Sequence, residues 1–165
     1  MRVLFIGGTG NISTAVSRLA VNRGVELTLL NRGSRDHGIT GASSIVADIV
    51  NEEAAAKALA GQTWDVVVNW IGFAPPDMER DLRLFSGKTK QYIFISSASA
   101  YQKPLAYPVI TEDTPLANPY WDYSRNKIAC EETLMRAYRE HGFPVTIVRP
   151  SLTYDTVIPV AIGSW

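Results

Sequence analysis

Val3-Leu4-Phe5-Ile6-Gly7-Gly8-Thr9-Gly10-Asn11-Ile12-Ser13, near the start of this 165-residue chain, decides the fold. Val3 to Ile6 is a short apolar run stopped by glycines, the pattern of a strand buried on both faces in a parallel sheet. Ile12, Ala15, Val16, Leu19 and Ala20 follow at helical spacing, as one apolar face of an amphipathic helix. Gly24 fits the helix stop.

The loop between strand and helix has the geometry a dinucleotide pyrophosphate needs. Gly7, Gly8 and Gly10 permit a tight turn. Across Gly7, Gly8, Thr9, Gly10, Asn11 and Ile12, backbone N–H groups can approach phosphate oxygens, and the helix N-terminus adds partial positive charge. Ser13 is small enough for helix and strand to pack closely.

Outward from this stretch the pattern repeats. Val25 to Leu30 reads as a second strand, and Asn31 to Gly41 as a polar turn region. Ser44 to Ala47 is a short third strand ending at Asp48, and Glu52 to Ala60 an alanine-rich helix. Asp65 to Asn69 is a fourth strand. Asp77 to Phe85 is a charged amphipathic helix placed just after two prolines. Gln91 to Ser96 is a fifth strand, Tyr120 to Glu140 a helix and Val145 to Arg149 a sixth strand, after an irregular stretch with prolines at 104, 108, 115 and 119. Alternating strands and helices predict a doubly wound parallel sheet in a three-layer α/β/α arrangement.

Composition bounds the function. Hydrophobic residues at 46% and charged residues at 19% suit one ordinary globular core. Sixteen basic residues balance sixteen acidic ones, so the chain lacks the broad positive field that draws proteins to nucleic acid or to anionic membrane. The single cysteine, Cys130, cannot form an internal disulfide and has no metal-site spacing around it. No metal is expected. With a first apolar run too short for a signal peptide or a span, the reading is cytoplasmic.

At the end of the second strand, Asn31-Arg32 stands where many dinucleotide folds carry an acid for the ribose 2′-hydroxyl. A guanidinium pairs with a 2′-phosphate that a carboxylate would repel, which favours NADP over NAD; the competing reading is a solvated loop charge. Asp48 is placed to meet the adenine amino group or, equally, to cap the next helix.

The chemistry is carried by Tyr123-Ser124-Arg125-Asn126-Lys127. The i, i+4 spacing puts Tyr123 and Lys127 on one helix face. A tyrosine hydroxyl ionises near pH ~10 and is a poor base alone; a nearby ammonium can lower that by ~1–3 units. Tyr123 would then exchange a proton with a substrate oxygen. Ser97 leaves the fifth strand at the ligand-binding end of the sheet and can serve the same oxygen.

Taken together, these residues resemble the extended short-chain dehydrogenase/reductase family, of the NAD(P)-dependent epimerase/dehydratase type with a Rossmann domain. The resemblance rests on the glycine loop, on DVVVNWIG at 65–72, ISSASAY at 95–101, TEDTPL at 111–116 and Asn118-Pro119, on Tyr123 and Lys127 with Glu131 behind them, and on IVRPSLTY at 147–154. It implies that Ser97, Tyr123 and Lys127 are the catalytic triad and that Lys127 also bonds the nicotinamide ribose. It further implies cofactor contacts from Trp70, Ile71 and Gly72 after the fourth strand and from Pro150 after the sixth.

The expected activity is an epimerase, dehydratase or reductase acting on a hydroxyl or keto carbon by hydride transfer, with a sugar nucleotide as the family's usual substrate. The alternative is a non-catalytic member that senses NADP(H) or binds RNA. The resemblance also suggests a homodimer through helices 77–85 and 120–140, with Leu82, Phe85, Ile128, Leu134 and Met135 as apolar contacts; the bland alternative is that these pack on the sheet. Residues 1–154 are expected to form the cofactor domain and 155–165 the beginning of a substrate domain cut short.

Overall fold

The computed structural model describes residues 1–33 and 38–153. Residues 155–165, expected to open a second domain, lie outside them. Six strands form one parallel sheet: β1 (Arg2–Ile6), β2 (Glu26–Asn31), β3 (Ser43–Val46), β4 (Trp64–Asn69), β5 (Thr89–Ile95) and β6 (Val145–Val148). Their spatial order is β3-β2-β1-β4-β5-β6, all parallel. The helices are α1 (Asn11–Asn22), α2 (Glu52–Ala58), α3 (Pro75–Phe85) and α4 (Asp122–His141), with a 3₁₀ turn at Ala98–Ala100. This is the Rossmann-like α/β architecture that the alternating pattern predicts.

Side chains alternate across each strand and so sort into two faces. On one face Leu4, Ile6, Val67, Tyr92 and Phe94 are fully buried against α2, α3 and α4. On the other, Val3, Phe5, Leu27 and Leu29 pack with Ala20 and Val21 of α1. β1 is central and its run from Val3 is buried throughout, as the apolar tetrad requires.

The α1 face differs from expectation. Ile12, Ala15, Val16 and Leu19 are exposed; the fully buried residues are Ser13 and Ser17, and of the expected face only Ala20 packs against the sheet. The reason is distance: the Ser17 hydroxyl donates to Gly8 O at 2.9 Å, and the Ser13 hydroxyl accepts the Gly10 N–H at 2.9 Å. Only small side chains let the helix come that close to its own glycine loop.

The helix ends follow their chemistry. α3 starts at Pro75, so both prolines occupy its first turn rather than preceding it, where a missing N–H costs nothing. Asp77 accepts the N–H groups of Phe73 and Ala74 at 2.9 and 3.1 Å. α4 closes on Gly142 in the left-handed region. Among the described residues no helix is long and apolar enough to cross a membrane.

Candidate active site

The strand order reverses between β1 and β4, and a cleft of about 510 Å³ opens outside the carboxyl ends of β1, β2 and β3. Of the expected cofactor residues, Gly7, Thr9, Asn31, Arg32, Asp48 and Ile71 line it. Phe73 lines it too.

Gly7 and Gly8 have φ of 92° and 98°, and a Cβ there would stand 2.9 Å from Ile71 Cγ2 and 2.7 Å from Leu29 Cδ2. Backbone conformation and close approach both demand glycine. Asn31 Oδ1 accepts the Gly33 N–H at 2.9 Å, while its buried Nδ2 has no partner among the described residues. A side-chain-free cradle and an orphaned donor in the cleft wall fit a ligand with phosphate and ribose oxygens.

Asp48 borders the cleft and accepts the Val50 N–H at 3.1 Å as a local turn. It does not cap α2; Asn51 does, by accepting the Ala54 N–H. The Trp70 indole also departs from expectation. It packs edge-on against Phe5, centroids 5.3 Å apart, within the α1-side core, and its Nε1 has no partner among the described residues. Gly8, Gly10, Asn11, Ile12, Gly72 and Pro150 do not line the cleft. Gly72 O instead receives Lys127, and Pro150 O receives the Ala98 N–H, pinning the turn that follows β5.

Ser97, Tyr123 and Lys127 come together beside this cleft. Ser97 follows β5 and Tyr123 is in the first turn of α4, their side chains near enough for Ser97 to oppose the rise in the Tyr123 pKa. The Tyr123 ring lies 6.1 Å from that of Phe73, which spans the space from cleft to tyrosine. Lys127 is buried between Phe94 and Phe73, at 4.7 and 5.0 Å from their ring centroids and 5.6 Å from that of Tyr123.

The electrostatics correct one expectation. Burial raises the Tyr123 hydroxyl above its ordinary pKa, with the Ser97 hydrogen bond opposing. The Lys127 ammonium donates to the carbonyls of Gly72 and Ile95 at 2.7 and 2.8 Å. Lys127 is itself the perturbed cation: burial brings it down to about 8, against the opposing pull of Cys130, Asp77 and Glu131.

Two buried polar networks hold this geometry, and sequence reading missed the members of the first. Asn69 Oδ1 accepts the N–H groups of Ile71 and Gly72, fixing the loop after β4. Its Nδ2 donates to Asp81, which also receives Tyr92 and Arg80. The one legible signal was a lone amide closing the apolar run of β4. In the second network Glu131 accepts Ser96 and a bidentate Arg149, locking the ends of β5 and β6 to α4.

Known proteins share this fold. Residues 82–155 match the model of the NAD dependent epimerase/dehydratase family. A UDP-glucose 4-epimerase of Lactobacillus helveticus is 28% identical over 90% of this chain and 51% of its own length. The chloroplast stem-loop binding protein of 41 kDa b from Arabidopsis thaliana is 27% identical over 99% of this chain and 45% of its own. Among solved structures, UDP-glucose 4-epimerase from Bifidobacterium longum in complex with NAD+ and UDP superposes with a TM-score of 0.77, at 21% identity, over 90% of this chain and 52% of that one. The chain spans about half the length of the curated relatives it matches.

Proposed function

We propose that this chain, a member of the NAD-dependent epimerase/dehydratase family, binds NADP(H) in its cleft and serves acid–base chemistry at a hydroxyl or keto carbon of a sugar nucleotide. The observation that carries the reading is the meeting of Ser97, Tyr123 and Lys127 beside a glycine-cradled cleft, with the Phe73 ring between.

The nicotinamide, when bound, supplies the hydride chemistry. Gly7 and Thr9 would give the backbone approach to the pyrophosphate, Asn31 Nδ2, which has no partner among the described residues, would donate to a ribose or adenine acceptor, and Arg32 on the cleft wall would pair with a 2′-phosphate. Tyr123 exchanges the proton with the substrate oxygen, and Ser97 donates a hydrogen bond to that oxygen. Lys127 provides positive charge beside the tyrosine ring. Even lowered to about 8 by burial, it keeps most of that charge at neutral pH. The sugar nucleotide is the substrate class suggested by the epimerase relatives.

Side-by-side titration with NADPH and NADH tests the cofactor half. Tight NADPH with weak NADH, lost in Arg32→Ala, is the expected result; equal affinities that ignore Arg32 would return it to a surface charge. For the acid–base half, Tyr123→Phe is expected to lower turnover of a sugar nucleotide by ~10²–10⁴-fold, and undiminished turnover would sink it.

The stem-loop binding relative, aligned over 99% of this chain, supports a second reading as an RNA-binding member. The balanced charge runs against it. A salt-dependent shift of stem-loop RNA, with no turnover of any sugar nucleotide, would establish the second reading over the first.

A further inference from the structure

The Lys127 ammonium bridges the carboxyl ends of two neighbouring strands. It donates to Ile95 O at the end of β5 and to Gly72 O in the loop after β4, at 2.8 and 2.7 Å. Ile95 is paired in the sheet with Val148 of β6. Gly72 belongs to no strand, so side chains must hold its carbonyl in place. Asn69, the last residue of β4 and completely buried, holds one side of it. Its Oδ1 accepts the N–H groups of Ile71 and Gly72 at 2.8 and 2.7 Å. A backbone N–H can only donate, so the amide orientation is settled, and Nδ2 is the donor to Asp81 Oδ2 at 2.5 Å. Asp81, completely buried in α3, takes Arg80 Nε and Nη2 on its other oxygen at 3.0 and 2.8 Å. Arg80 also reaches Asp77 at 2.9 Å. The second oxygen of Asp77 accepts the Phe73 N–H at 2.9 Å, which shares a planar peptide unit with Gly72 O. Each hydrogen bond from Arg80 to Lys127 therefore has its direction fixed by a group that can only donate or only accept. The loop is also tight: a Cβ at Gly72 would collide with Met78 Cε and stand 3.1 Å from Asn69 Nδ2.

We infer that Asn69 and Asp81 are positioning residues for Lys127: through the loop at 71–72 they place the carbonyl that receives its ammonium. The inference rests on the proposed site of Ser97, Tyr123 and Lys127 and adds what keeps the lysine there. A lysine carries its charge on a flexible four-carbon stem. Around Lys127 the Phe94 and Phe73 rings exclude water and offer no strong acceptor, so the two carbonyls carry the solvation of the ammonium. One of the two depends on Asn69 and, behind it, on Asp81 and Arg80. Burying an arginine beside a carboxylate is costly, and apolar residues would fill the same space as well. The buried pair is accounted for by what it holds, the loop between the cleft and the catalytic lysine.

The test reads the ionisation of Lys127 itself, in the full chain without cofactor. Lysine is labelled with ¹³C at Cε, the Lys127 signal is assigned by its absence in Lys127→Met, and its midpoint, about 8 in wild type, is followed with pH. The titratable groups facing Lys127 are Tyr123, Cys130 and Glu131 from α4 and Asp77 from α3, and all of them stay constant through the series. Asn69→Ala and, independently, Asp81→Ala release the Gly72 carbonyl. A buried ammonium that loses an acceptor gives up its proton more readily, so the midpoint is expected to fall by roughly half a pH unit, about threefold in ionisation constant. Tyr92→Phe controls for general loosening. It removes the other donor on Asp81 Oδ2, at 2.5 Å, leaves Asn69 and Asp81 in place, and should not move the midpoint. A midpoint unmoved or raised in either alanine variant, or one that falls as far in Tyr92→Phe, overturns the positioning role and leaves the acid–base reading standing. Undiminished turnover in Tyr123→Phe would instead remove the reaction that the held lysine serves, and the inference with it.

Discussion

The two faces of one strand, β5, live in different solvents. Tyr92 and Phe94 point to the face covered by α2, α3 and α4 and are completely buried. Ile93 and Ile95 point to the opposite face and are only half-buried. Farther along that second face Val148 of β6 is 41% exposed. α1, the one helix packed there among the described residues, reaches as far as β1 and β2 and leaves its own Leu19 54% exposed. Apolar character alone therefore does not say what a side chain is worth. A residue contributes in proportion to the area its neighbours remove from water.

Four measurements break or sharpen this contrast. The largest effect is expected for Phe94→Ala, which opens a cavity on the covered face; urea unfolding should show a loss of ~3–5 kcal/mol. Next is Lys127, dried by that same face. A lysine whose folded pKa is depressed destabilises the fold fully below that pKa, and the penalty fades as pH rises toward the ordinary lysine value. Wild type should therefore gain on Lys127→Met by roughly 2–3 kcal/mol as pH climbs from below about 8 to above that value. A pH-independent difference would show that the ammonium is solvated. Ile93→Ala, one residue from Phe94 on the open face, should cost only ~1–2 kcal/mol. A cost equal to that of Phe94→Ala would mean that something covers this face in solution. The smallest effect belongs to Leu19→Lys on the outer side of α1, expected within ~0.5 kcal/mol by thermal melting.

Much of the architecture was legible because it depends on local rules. Apolar runs between turn residues located all six strands. Gly7 and Gly8 announced their turn because left-handed backbone there excludes a side chain. Tyr123 and Lys127 share a helix face by spacing alone. The α1 face was misjudged because periodicity counts apolar residues without knowing how near the sheet will come; at contact distance Ser13 and Ser17 fit where Val16 and Leu19 would not. The expected apolar dimer contacts divide in the same way. Phe85 and Leu134 are core residues, whereas Leu82, Ile128 and Met135 are only partly buried.

By itself, the sequence determined the strand-helix alternation, the glycine cradle and which residues could do acid–base chemistry, since these follow from backbone sterics, residue period and functional-group chemistry. Tertiary structure alone decided where Lys127 spends its charge, why burial rather than a cation governs the Tyr123 pKa, and how Arg80, Asp81 and Asn69 line up behind Gly72. Hydrogen-bond direction and desolvation depend on groups that are distant along the chain and become neighbours only when the sheet has assembled.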